Sequence, residues 1–213
     1  MQPVSVTVEI ADLAMAYGSR PLFTGLSAVL RPGRCTVVTG PNGSGKSTLL
    51  KIVAGLVRPM DGDVALAADG AGRTTASSER RRLTGYVAAD RSPYVELTAA
   101  ENLRFAARLR GLPPPDVARM LTDVGLAASR ADDLVGSFSS GMRQRLKIAL
   151  ARIGEPPLWI WDEPTAMLDD PGRAIVQRLL TEHLAEGGTA LVATNDGSEA
   201  ERWADQRIAV GGA

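Results

Sequence analysis

Gly40-Pro41-Asn42-Gly43-Ser44-Gly45-Lys46-Ser47 fits the pattern G-x-x-x-x-G-K-[S/T], in which a glycine-rich turn joins a strand to a helix. Just upstream, Cys35-Thr36-Val37-Val38-Thr39 is a short β-branched run with the character of a buried strand. Downstream, residues 47–55 read as a helix that stops at its glycine, Gly55. The glycines let backbone N–H groups turn inward around phosphate oxygens without a Cβ clash. Lys46 adds a positive charge, Ser47 offers a hydroxyl to Mg2+, and the helix start points its dipole at the anion. The alternative is a bare strand-to-helix turn. The flanking strand and helix favour the phosphate cradle.

Leu158-Trp159-Ile160-Trp161-Asp162-Glu163 supplies a second half for such a site. Four apolar residues predict a buried strand, and two carboxylates follow at its C-terminal end, where α/β sheets place their ligands. Asp162 is then expected to hold Mg2+ through water, and Glu163 to polarise an attacking water. Strand-like residues 190–193 and helical stretches at 171–185 and 198–204 continue the alternation, which implies a mainly parallel, covered sheet.

The N-terminal thirty residues read differently. Val4-Ser5-Val6-Thr7-Val8-Glu9-Ile10, then 13–17 and 26–30, alternate apolar with polar between Gly18, Gly25 and Pro32-Gly33, which predicts antiparallel strands at a sheet edge. Residues 67–82 are small and polar and read as a surface loop, with Arg80-Arg81-Arg82 as a solvated face. A strand is expected over 83–88. From 98 to 153 the pattern is helical, interrupted by Pro113-Pro114-Pro115.

Composition bounds the function. The chain has 213 residues, 24 Lys+Arg against 24 Asp+Glu, one His and one Cys. That size suits one domain, with room for an inserted subdomain. The balanced charge argues against a partner gripped through a large basic surface, so nucleic acid is not expected. No apolar run reaches the length of a membrane-spanning helix, and the start lacks the features of a signal peptide. Cys35 alone forms no intrachain disulfide, and paired-histidine catalysis is excluded because only His183 exists. His183 reads as a surface residue on its helix.

With both motifs placed, residues 4–210 resemble the ATP-binding-cassette (ABC) nucleotide-binding domain. Phe138-Ser139-Ser140-Gly141-Met142 is similar to that family's L-S-G-G-Q signature, with Ser139 and Gly141 retained and Phe138, Ser140 and Met142 departing. Ser139 is also a good N-cap for a helix with an apolar face at Met142, Leu146, Ala149, Leu150 and Ile153. The resemblance implies an α/β, P-loop NTPase fold of the ABC type: a mainly parallel core, an antiparallel β subdomain and an inserted helical subdomain. The whole chain is expected to be one such domain, with the antiparallel edge at about 4–32. The P-loop core would cover about 33–92 and 154–213, and the helical subdomain about 93–153.

The same resemblance implies ATP and Mg2+ as ligands. ATP would be held by Tyr17, Gly40, Pro41, Asn42, Gly43, Ser44, Gly45, Lys46, Ser47 and Thr48. Ser139, Ser140 and Gly141 would complete the site of a second cassette, and the D-loop acid Asp169 is a further expected nucleotide contact. Ser47, Asp162 and Asp90 are the expected metal contacts, and Glu163, Lys46 and Asn195 the catalytic groups. Two positions depart from the family. Ala89 stands where a Gln touches Mg2+ and water, with Asp90 beside it, and Asn195 replaces the switch His. An asparagine amide donates to a phosphate oxygen but carries no charge.

The implied function is ATP hydrolysis that powers transport through a separate transmembrane permease, at a slow rate, on the cytoplasmic face of a membrane. The chain's length fits the engine without the channel. Residues 88–97 would lie in the groove that receives the membrane partner, and a second nucleotide-binding domain, the same or different, would complete each site. Residues 97–103 and 158–164 resemble exporter-type subunits, haem exporters among them. The rival readings are a non-transport cassette ATPase and a regulatory module that binds ATP without turning it over.

Overall fold

The computed structural model describes residues 5–68, 72–88 and 90–211. Two sheets organise them. The first is antiparallel and joins β1 (Val6–Tyr17), β2 (Arg20–Leu30), β4 (Asp61–Ala68) and β5 (Gly72–Thr74) in the order β2-β1-β4-β5. The two short strands expected at 4–10 and 13–17 are one: β1 runs through a register shift near Asp12, whose φ is 50°. This sheet is a layer of its own, and it draws β4 and β5 from the stretch assigned above to the P-loop core.

The second sheet is wholly parallel. It holds β3 (Cys35–Thr39), β6 (Thr84–Val87), β7 (Leu158–Asp162), β8 (Thr189–Ala193) and β9 (Gln206–Ala209) in the order β6-β7-β8-β3-β9. Its central strands carry no polar face because both faces are covered. Alternate residues of one strand therefore enter different cores. Trp159 and Trp161 of β7 pack with the helical side, while Leu158 and Ile160 face the antiparallel sheet. Cys35 and Val37 of β3 divide from Val38 in the same way.

Helix α1 (Lys46–Val53) covers the face toward the antiparallel sheet. The other face takes α3 (Ala99–Leu109), α4 (Val117–Asp123), α5 (Ser140–Ala151), α6 (Asp170–Ala185) and α7 (Gly197–Trp203). Helix α3 opens on a full capping box, with Thr98 Oγ1 accepting from the Glu101 N–H and Glu101 from the Thr98 N–H. The buried Asn102 amide fastens the segment before it, donating to the Tyr94 and Thr98 carbonyls and accepting from the Tyr94 N–H.

Three expectations fail here. Residues 67–82 are not a surface loop, since β4 ends at Ala68, β5 follows, and Ser77–Leu83 form helix α2; residues 69–71 lie outside the described stretches. Arg80 is not on a solvated face either. It is buried and donates to the Val64 carbonyl, Arg81 donates to the Gly55 carbonyl, and Arg82 pairs with Glu79. An arginine run is read as solvated from charge alone, but here Arg80 and Arg81 fold onto backbone carbonyls while Arg82 stays exposed.

His183 is the third. It continues the inward stripe of α6 (Val176, Leu179, Leu180, His183), and its ring stacks on Trp159 at 3.9 Å between centroids. Burial holds its pKa down to about 4 from 6.5, against the pull of the Thr189 carbonyl. The folded protein thus favours neutral imidazole and the unfolded chain binds the proton first. The stabilisation is full above about pH 6.5 and is lost as pH falls toward about 4. In denaturation series across that window, His183→Phe, which keeps the ring but does not titrate, gains on the parent by about 3 kcal/mol.

Candidate nucleotide-binding site

The parallel register sets three strand ends level. Val38 lies beside Ala193, and Ala193 beside Asp162. The residues that follow therefore emerge together: the glycine-rich loop after β3, Glu163 after β7, and Thr194-Asn195 after β8. Residues 162 and 163 would be an unremarkable acid pair elsewhere, and the topology puts them across one intervening strand from the phosphate loop.

The loop's geometry depends on its glycines at two positions. Gly40 has φ 149°, and a Cβ there would collide with the Val210 carbonyl and Ser44 Oγ. Gly45 has φ 105° and lies against Leu22 of the antiparallel sheet, 3.0 Å from Leu22 Cβ to the place a Cβ would take. The loop is thus clamped between β9 and β2. Among the described residues no side chain caps α1 and no acid stands in its first turn, so its leading N–H groups have no side-chain acceptor. Lys46, only 7% exposed, folds over this ring and donates to the Gly40 carbonyl at 2.7 Å and the Pro41 carbonyl at 3.2 Å. Among the described residues the buried Ser44 hydroxyl has no partner, and Thr48 is also buried. Pro41, Asn42 and Gly43 form the exposed rim.

Burial pushes the Asp162 carboxylate above its ordinary range, and the neighbouring Ser47 hydroxyl pulls against this. Glu163 sits at φ 50°, a left-handed conformation that costs a non-glycine residue of order 1 kcal/mol. Among the described residues one of its carboxyl oxygens is buried with no hydrogen bond. Burial raises its pKa, the Asn195 backbone N–H opposes this, and Asp162 adds to the rise. A strained, half-buried carboxylate with a free oxygen and raised basicity suits general-base work.

Gln144 of α5 is buried and donates to the Pro164 carbonyl at 2.9 Å, tying the start of that helix to the acid pair. Sequence reading passed over it, although its place on the inner face of α5 was the available signal. Strand β9 was passed over as well.

The other expected residues fall in two groups. Tyr17 ends β1 at the hairpin tip and is 57% exposed, which leaves its ring free to stack on a base. Asp90 lies beyond β6 and is paired with Lys51 of α1 at 2.6 Å, which holds its carboxyl below the usual range. Ala89 lies outside the described residues. Asn195 is exposed at the end of β8. Ser139, Ser140 and Gly141 stand apart at the start of α5, where Ser139 Oγ accepts from the Met142 N–H at 3.2 Å. Asp169 caps α6 through the Gly172 N–H and binds Arg145 at 2.7 Å.

A parallel sheet with a phosphate loop after one strand and paired acids after another defines a P-loop nucleoside triphosphatase. The family model described as ABC transporter matches residues 23–166. The chain is 37% identical to the cytochrome c biogenesis ATP-binding export protein CcmA of Cupriavidus pinatubonensis, over 86% of this chain and 81% of that one. It is 34% identical to the Fe(3+) ions import ATP-binding protein FbpC 2 of Rhodococcus jostii, covering 97% of itself and about 60% of that relative's length. Among solved structures, an ATP-binding subunit of an ABC transporter superposes with TM-score 0.81 at 30% identity, over 95% of this chain and 85% of the other. A dimeric ATP-binding cassette in a post-hydrolysis state, bound to ADP and Pi, gives TM-score 0.82 at 25% identity, over 95% and 94%. The chain belongs to the ABC transporter family, and it is an ATP-binding ATPase domain of that family.

Proposed function

We propose that ATP hydrolysis by this domain powers movement of a substrate through a separate transmembrane subunit. The observation that carries this is the convergence of Lys46, Asp162 and Glu163 at level strand ends, in a chain where no described helix is long and apolar enough to cross a membrane. An exposed apolar surface supports a docked partner: Tyr94 and Phe105 meet edge to face at 5.5 Å, with Val95 and Leu109 nearby in sequence and also exposed. Asn102 holds that segment in place. The domain then works at the cytoplasmic face, bound to its permease.

Mg2+ fits the donor set. The Ser47 hydroxyl tempers the Asp162 carboxylate, and burial makes the Asp162 charge costly without a cation. Among the described residues no cluster of three His, Cys, Asp or Glu could hold an ion. Phosphate oxygens and water must therefore complete the shell, which is how Mg2+ binds nucleotides. The bound ion would neutralise charge on the phosphates. Lys46 and the α1 N-terminus hold those phosphates, Tyr17 stacks on the base, and Glu163 takes the proton of the attacking water.

Ser139, Ser140, Gly141 and Asp169 are left for the site of a second cassette. The signature hydroxyls stand exposed at a helix start without any bond to this chain's own phosphate loop among the described residues. Asn195 supplies an uncharged donor at the γ-phosphate. Asn195→Ala should lower kcat on the order of tenfold with ATP affinity held; equal turnover sinks that role. Asp90 is proposed to reach the Mg2+ water shell by leaving Lys51. Asp90→Ala should then raise the Mg2+ concentration needed for half-maximal turnover, and an unmoved Mg2+ curve removes it from the site.

Transport is tested by purifying the tagged chain from native membranes. Co-purification of a multi-span protein, with ATPase activity that rises in its presence, is the expected result. A chain recovered entirely from the soluble fraction overturns the reading.

A further inference from the structure

Glu199 lies in the first turn of α7 and is 4% exposed. Its Oε2 accepts from Thr165 Oγ1 at 2.9 Å and from Thr194 Oγ1 at 2.8 Å, and its Oε1 accepts from Arg173 Nη1 at 2.7 Å. Each of these partners adjoins a different part of the site. Thr165 stands two residues after Glu163, at the start of the loop that ends in Asp169. Thr194 immediately precedes Asn195. Arg173 sits in the first turn of α6, the helix that Asp169 caps.

Thr194 is held on both sides. Its hydroxyl donates to Glu199 and accepts from the Asp196 N–H at 3.1 Å, so the turn that contains Asn195 is pinned before and after that residue. Arg173 also binds Asp196 Oδ2 at 3.1 Å. Backbone bonds make the two loops neighbours, with the Glu163 N–H donating to the Ala193 carbonyl at 2.9 Å. Among the described residues only Glu199 joins them through a shared side-chain oxygen.

A buried carboxylate, even well paired, is a poor way to stabilise a core, because desolvation offsets most of the attraction. What it supplies is direction: two hydroxyls aimed at one oxygen fix two backbones to each other. We propose that Glu199 is a positioning residue for ATP hydrolysis, which locks the Asn195 turn and the Thr165–Asp169 loop into one unit around Glu163.

The test uses conservative pairs at Thr194 and Thr165, with Glu199→Gln alongside. If Glu199 works through hydrogen bonds, Thr→Ser keeps the hydroxyl and stays close to the parent in kcat. Thr→Val keeps the shape, loses the bond, and drops kcat on the order of tenfold or more at unchanged KM for ATP. If the cluster only fills space the order reverses, with Val tolerated and Ser impaired, and the proposal falls. Hydrogen exchange gives a readout independent of turnover. Thr165→Val should speed amide exchange at residues 194–196, and Thr194→Val should speed it at 166–168. Changes confined to each substituted loop overturn the linkage. The proposal rests on Asn195 and Asp169 facing the reaction. Impaired Thr194→Val beside an indifferent Asn195→Ala would remove Asn195 from the mechanism and leave Glu199 as the residue that orders Glu163.

Discussion

Glu163→Gln abolishes steady-state ATP turnover, by at least about a hundredfold, and leaves ATP binding intact. The substitution is isosteric, so the strained backbone at φ 50° and the neighbourhood of the Asn195 N–H survive. What disappears is the oxygen that can take a proton. Binding holds or tightens, because one negative charge beside Asp162 and the bound phosphates is gone. The pH profile gives a second check. Only the carboxylate form of Glu163 accepts a proton, and burial raises its pKa above 4.5. Activity is therefore complete above that raised value and is lost as pH falls through it, with an acid limb above the range of ordinary glutamates. A variant as fast as the parent would end the general-base assignment and favour a module that binds ATP without hydrolysing it.

Lys46→Met weakens ATP binding itself, on the order of a hundredfold, as expected when a desolvated, charge-assisted contact to phosphate is lost. Methionine retains the aliphatic stem that packs within the loop, so the fold stays. The loop carbonyls of Gly40 and Pro41 lose their donor, which makes the cradle both less positive and less well shaped. Equilibrium binding of ATP by calorimetry measures it directly. Unchanged affinity would mean that the loop N–H groups and α1 carry the phosphate without the lysine. The two variants also separate cleanly, since Glu163→Gln acts on turnover and Lys46→Met on occupancy.

Local chemistry was legible wherever one short segment carries its own reason. Gly40 to Ser47 must turn, because only glycines take those angles. Residues 158–161 must be buried, because four apolar residues in succession leave no polar face. Ser139 caps its helix as its residue type suggests. The misreadings have one physical cause, that residue type was taken for environment. Arg80 and His183 are polar types whose partners, the Val64 carbonyl and the Trp159 ring, lie far away in the chain. Residues 72–74 are too short and polar to announce a strand, and their pairing to β4 makes them one.

The sequence by itself determined that a phosphate loop and a strand-end acid pair exist, because glycine conformations and strand burial are local consequences of side-chain size. The tertiary structure alone decided that Ala193 stands between Val38 and Asp162, that β9 and Leu22 clamp the loop, and that Thr165 and Thr194 share Glu199. Strand order and register are set by how two complete cores pack on opposite faces of one sheet, a condition that no single segment contains.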